Sequence, residues 1–161
     1  RLICAICHRR IREYPIAGGP SACCESIYDL RMVEQAYELL KSFHFVGIAM
    51  VEFKGEKILD VNPRVWGSFP LTEQAKSPFA ILYAKAAAGE RIEYEPDNYR
   101  SGVRMRFTLN DGMASLSLIK SGRIKEGFAG LRDIFMAEEA LRAEDDPGPL
   151  RQYLKQAMRG K

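Results

Sequence analysis

The sequence predicts an α+β fold, with a mainly antiparallel sheet flanked by helices and a short, mostly helical C-terminal extension. Three observations lead there. Residues 46–53, "VGIAMVEF", and 56–63, "EKILDVNP", are strand-like runs separated by a turn at Gly55, which is how a β-hairpin is written in sequence. Residues 30–42 carry Val33, Ala36, Tyr37 and Leu40 at the i, i+3, i+4, i+7 spacing of an amphipathic helix. Residues 103–109, "VRMRFTL", alternate apolar with polar as a half-buried strand does.

The elements follow in order. Residues 1–15, "RLICAICHRRIREYP", start apolar and β-branched, turn basic and stop at Pro15. A strand is expected near 2–11, leading into the loop "IAGGPS". Asp29 stands where an N-cap for the helix over 30–42 belongs. The hairpin strands are expected near 47–53 and 57–62, in the same sheet as the first strand, with that helix on one face. "PLTEQA" and "PFAILYAKAAAG" read as two helices, the second opening at Pro78 and closing at Gly89. The polar stretch "ERIEYEPDNYRSG" then shifts the composition, so the expected division is 1–95 and 96–161. Beyond "VRMRFTL" short helices are expected, broken at the Pro/Gly run 147–149. No internal repeat is visible.

Composition narrows the classes of function. In 161 residues, 24 Lys and Arg stand against 21 Asp and Glu. That weak imbalance, with no run of like charge, gives no reason to expect a nucleic-acid partner. The apolar runs are too short to cross a bilayer, so no membrane partner is expected either. Arg1 followed at once by a strand-like run suggests a segment of a longer protein. Four cysteines are too few for a disulfide scaffold, and with no signal-peptide pattern a cytoplasmic location is expected.

"CAICH" at residues 4–8 spells the pattern that attaches a c-type haem. On a strand, however, residues three apart point to opposite faces, so Cys4 and Cys7 cannot serve one group. Cys23 and Cys24 are adjacent, which is poor geometry for one metal. The cysteines therefore read as small buried hydrophobes. A haem- or zinc-binding redox module is the competing reading, distinguished by a Soret band or stoichiometric zinc.

The chemistry lies in "MVEFKGEKILDVNPRVWGSFPLTE", residues 50–73. Glu52 lies near the end of one strand. Asp60 and Asn62, two apart on the next, share a face. Two carboxylates and an amide oxygen make a hard-oxygen site suited to Mg²⁺ (or Mn²⁺), with phosphates completing the octahedron. Arg64, just past the strand, can hold those phosphates as a planar fork. For Glu52 to share the face of Asp60 and Asn62, position 52 must pair with an even-numbered residue. That asks for a three-residue loop with Gly55 in the left-handed region; a regular two-residue turn would remove the site.

Other basic and glycine-rich stretches have ordinary readings. Arg9, Arg10 and Arg12 read as a solvated strand face, and Arg104 and Arg106 as an exposed one. Gly18, Gly19, Pro20 and Ser21 form either a phosphate-receiving loop or a turn.

At this point the sequence resembles the C-terminal subdomain of the ATP-grasp fold, in its biotin-carboxylase-like and carbamoyl-phosphate-synthase-like group. There a Glu on one strand precedes E-x-N-x-R on the next and then P-[LV]-T-E. The matching residues are Glu52, "DVNPR" at 60–64 and "PLTE" at 70–73. Asp60 stands where Glu is usual, which keeps the charge and shortens the reach. His8-Arg9-Arg10 before "IAGGPS" falls where that family has His-Gln-Lys before a Pro/Gly loop. The likeness covers residues 1–89.

The resemblance implies Mg-ATP bound by Glu52, Asp60 and Asn62 through metal. Arg64 and His8 would sit on the nucleotide phosphates, and Arg64 and Arg10 would be catalytic. It implies an ATP-dependent carboxylate-amine or carboxylate-thiol ligase acting through an acyl phosphate, whose N-terminal lobe lies elsewhere in the same protein. Its partners would then be ATP and a small carboxylate. A non-catalytic nucleotide-binding or scaffold domain is the alternative.

Overall fold

Local sequence rules account for most elements of the computed structural model, which describes residues 1–92, 98–143 and 145–158, less the side chains of 134, 157 and 158. Strands β1 (Cys7–Glu13) and β2 (Ser21–Ile27) come first. Helix α1 (Leu30–Ser42) starts where the sequence says, with the Asp29 carboxylate accepting from the Met32 N–H at 3.1 Å. Strands β3 (Met50–Lys54) and β4 (Lys57–Asn62) form the hairpin. Helices α2 (Pro70–Gln74) and α3 (Phe79–Ala87) follow, the second ending at Gly89 with φ +76°. The C-terminal part holds strand β5 (Arg104–Arg106), helices α4 (Thr108–Lys120) and α5 (Ile124–Arg132), a 3₁₀ turn (Asp133–Phe135), strand β6 (Glu138–Glu139) and helix α6 (Gly148–Met158).

The class is α+β, but the strands are distributed differently from the expectation. A four-stranded sheet has the order β1-β2-β5-β6, with β2 antiparallel to β5 and β5 parallel to β6. β3 and β4 form a separate two-stranded ribbon. The turn at Gly55 makes their pairing local, whereas pairing with a distant edge leaves no mark on a strand's own alternation. "VRMRFTL" is a strand only over its first half, because the chain turns into α4. The Thr108 N–H at that turn is met by the Glu139 carboxylate at 2.8 Å, a partner 31 residues away. The Pro/Gly run expected to break the tail starts α6 instead, with Pro149 in the first turn, where its missing N–H costs nothing.

The chain divides into two compact units, residues 1–9 with 26–103 and residues 10–25 with 104–161. The expected boundary between 95 and 96 lies outside the described residues. In the first unit the core is aromatic. Trp66 meets Phe69 and Phe79 edge-on at 5.2 and 5.5 Å, beside buried Leu71 and Ala75. None of the side chains of α1 is fully buried.

The second unit is organised by charge. Asp111 on α4 has no exposure to solvent. Arg12 of β1 grips it with two hydrogen bonds, at 2.6 and 3.0 Å, and reaches Asp133 at 2.8 Å. Arg104 takes the other oxygen of Asp133 at 2.9 Å. Nε of Arg106 lies 3.3 Å from Asp111, and its Nη2 donates to the Thr108 carbonyl. Burial alone would lower the pKa of Arg12, yet its pairing with Asp111 and Asp133 holds it above the ordinary arginine value. Next to this cluster, burial pushes the Cys23 thiol up to about 11 against the pull of Arg12, and the Cys24 thiol up to about 12. Neither is a thiolate at neutral pH, so neither is a nucleophile there.

Asp111→Ala removes the carboxylate paired with buried Arg106 and leaves Arg12 with Asp133 alone. We expect a loss of about 3–5 kcal/mol in unfolding free energy by chemical denaturation. A loss under about 1 kcal/mol would mean that the cluster does not hold this unit together.

Candidate functional site

The hairpin expected to carry the metal ligands does bring them to one face, by a different device. Lys54 pairs with Lys57 and Phe53 with Ile58 across a two-residue Gly55-Glu56 turn, with Gly55 at φ +61°. That is a correction to the expected three-residue loop. Continued regularly, it would set Glu52 opposite Leu59. The register instead shifts between Phe53 and Glu52, so Leu59 is passed over and Glu52 pairs with Asp60, Val51 with Val61 and Met50 with Asn62. A bulge of one residue thus restores the parity that the turn alone would have lost. Leu59 is 61% exposed.

Opposed residues in an antiparallel pair point to the same face with Cβ atoms about 4.5–5.5 Å apart. Glu52 and Asp60 are therefore neighbours, and Asn62 shares their face two residues on. Asn62 Nδ2 donates to Asp60 Oδ2 at 2.7 Å, which locks the spacing of two of the three groups. The other Asp60 oxygen accepts the Val61 N–H at 2.9 Å. Asn62 Oδ1, the atom that would face a cation, accepts a long 3.4 Å bond from Arg64 Nη2, while Arg64 Nη1 donates to the Val65 carbonyl at 3.1 Å. Asp60 and Arg64 are exposed, and Glu52 and Asn62 are half-buried.

Electrostatically the pair is unfinished. Two like charges directly across a ladder destabilise it. Among the described residues no cation is ion-paired with Glu52 or Asp60. The donor set of two carboxylates and one amide oxygen fits a hard divalent cation. Among the described residues no group of three or more His, Cys, Asp or Glu could hold a metal ion; the hairpin set has only two such residues and depends on Asn62 for its third donor.

His8 and Arg10 take up separate surroundings. His8 Nε2 lies 3.0 Å from Ser68 Oγ, and its ring stacks near-parallel on Trp66 at 6.5 Å. Both contacts sit just beyond Arg64 in the chain, so the segment after β4 fixes the imidazole. Arg10 is exposed and spends its guanidinium on Glu13 at 3.0 Å, Ser21 Oγ at 3.2 Å and the Gly19 carbonyl at 3.4 Å. The loop before Ser21 needs glycine for a steric reason: a Cβ at Gly19 would lie within 2.6 Å of the Pro15 nitrogen.

The cysteines of "CAICH" do not converge. Cys4 Sγ lies 3.8 Å from Ser77 Oγ, Cys7 donates to the Asp29 carbonyl at 3.6 Å, and none of the four cysteines is in a disulfide. Sequence reasoning missed the Arg12–Asp111–Asp133 cluster, having read Arg12 and Arg106 as surface. One signal was present, because an Asp inside an apolar helical stretch needs a partner.

Among the described residues no helix is long and apolar enough to cross a membrane. Compared with known proteins, the chain matches no family model, no curated protein and no solved structure.

The bulged register is directly testable. Glu52→Cys with Asp60→Cys should close a disulfide under mild oxidation, since opposed positions lie within bridging distance. Glu52→Cys with Leu59→Cys should not. Closure of the second pair in place of the first, read by mass spectrometry, would return the hairpin to a regular register and separate the ligands.

Proposed function

We propose that this chain supplies the Mg-ATP phosphate-binding lobe of an ATP-grasp ligase, one that joins a carboxylate to an amine or thiol through an acyl phosphate. The observation that carries the reading is the uncompensated Glu52–Asp60 pair, with Asn62 and Arg64 in sequence beside it. The antiparallel hairpin fits such a lobe. The resemblance of "DVNPR" and "PLTE" to that family supports it from the sequence side.

In this reading Glu52, Asp60 and Asn62 Oδ1 hold Mg²⁺. When bound, the ion neutralises charge on the nucleotide phosphates and aligns them for transfer. Arg64 swings its fork from Asn62 and the Val65 carbonyl to phosphate oxygens; a charge-assisted pair is stronger than the long bond it replaces. His8, fixed by Ser68 and Trp66, lines the phosphate end. The carboxylate substrate takes the γ-phosphoryl group from ATP, releasing ADP. The amine or thiol then attacks the acyl carbon, and phosphate leaves. A catalytic role for Arg10 comes from the resemblance alone, and its own contacts, to Glu13, Ser21 and Gly19, lend it no support.

The protein that contains this chain should release ADP from ATP only with Mg²⁺ and a carboxylate acceptor present. Asn62→Ala and Glu52→Gln should each lower turnover by about 100-fold or more without changing the circular dichroism spectrum. Near-normal turnover in either variant sinks the metal assignment.

A further inference from the structure

Helix α5 packs with its small residues inward and its large apolar ones outward. Its buried positions are Gly127 and Gly130. A Cβ at Gly127 would stand 2.5 Å from Ile119 Cγ1 and 2.7 Å from the Ser115 carbonyl oxygen, so the two helix backbones lie close together. Ile124 and Phe128, with the i, i+4 spacing that usually marks a core face, are 53% and 59% exposed. Half-buried Leu131 extends the stripe by one turn.

Contacts of 119 with 127 and of 115 with both 127 and 130, across a three-residue turn, make α4 and α5 an antiparallel pair. At 100° per residue, Met113 and Leu116 of α4 fall on the same side of the seam as the α5 stripe. Both are exposed. The result is an apolar platform two helices wide and about 13 Å long, nine residues at 1.5 Å each.

Its margin has one sign of charge. Lys120, Lys125 and Arg132 are exposed there, and none is in an ion pair among the described residues. The nearest acid, Glu126, falls on the other side of the seam and is held by Arg123 at 2.5 Å.

We propose that this platform docks an amphipathic helix of a partner protein, apolar along one stripe and acidic along its edges. Helix-in-groove recognition needs an apolar surface a few turns long with complementary margins, which the pair supplies. A second copy of the chain would bring cations against cations. On an anionic leaflet three cations add only a weak, salt-screened attraction, and the apolar side chains line two joined helices along which another helix can lie.

The test uses the full chain and a fluorescent synthetic helix with Leu at i, i+3, i+4 and i+7 and Glu along both edges. The acidic peptide should bind. Phe128→Ser should weaken it about 10-fold or more. Lys125→Glu with Arg132→Glu should weaken it further at low salt than at high salt, with the circular dichroism spectrum unchanged in every variant. The proposal is overturned if the acidic peptide does not bind, or if a peptide with Lys in place of Glu binds as well. It is overturned equally if Phe128 instead governs sedimentation with phosphatidylserine vesicles, or self-association of the chain.

Discussion

A carboxylate with no access to water must be neutralised by its own protein, and Asp111 imposes that requirement on the second unit. Its partners are Arg12 on β1, 99 residues away, and Arg106 on β5, and Arg12 ties it on to Asp133 after α5. Removing any one carboxylate leaves buried positive charge, and the desolvation penalty for that exceeds the worth of an ordinary contact. The cluster therefore specifies how the sheet and the α4–α5 pair come together more sharply than apolar contact alone, which tolerates sliding. It also corrects the expected solvated strand faces, because Arg12 and Arg104 are committed to carboxylates.

The hairpin in the first unit is the reverse case. Its acids are at or near the surface, they face each other across the ladder, and no side chain among the described residues balances them. Charges that organise a fold are buried and paired, and charges kept for a ligand are accessible and unbalanced. That contrast is why we propose β3 and β4 as the region that takes a cation, with Arg64 one step beyond for the anion it would carry. The same contrast gives the α4–α5 platform its sense. Glycines spent on close packing leave Ile124 and Phe128 outside, where apolar surface has a use only when something covers it.

What could be read from the sequence follows from the range of the forces involved. Asp29 capping α1, Gly89 ending α3 and the hairpin around Gly55 are settled within a few residues, and each was legible. So was the shared face of Asp60 and Asn62, because strand parity alone puts them there. The two-residue turn with a bulge at Leu59 was not, since a bulge is a choice between nearly equal registers and leaves no residue signature of its own. Arg106 looked like the exposed half of an alternating strand until Asp111, on the next element, turned that face inward. The parallel pairing of β5 with β6 and the separation of β3–β4 from the larger sheet depend on contacts distant in the chain, which alternation does not encode.

The claim at the centre is that Glu52, Asp60 and Asn62 form one cation site. Paramagnetic broadening by substoichiometric Mn²⁺ in the amide NMR spectrum of the chain tests it without requiring turnover or tight binding. The signals of Glu52, Asp60 and Asn62 should broaden together and ahead of those of other exposed carboxylates such as Glu38 and Asp146, and excess Mg²⁺ should restore them. Uniform broadening across surface carboxylates, or broadening centred away from the hairpin, would contradict the account.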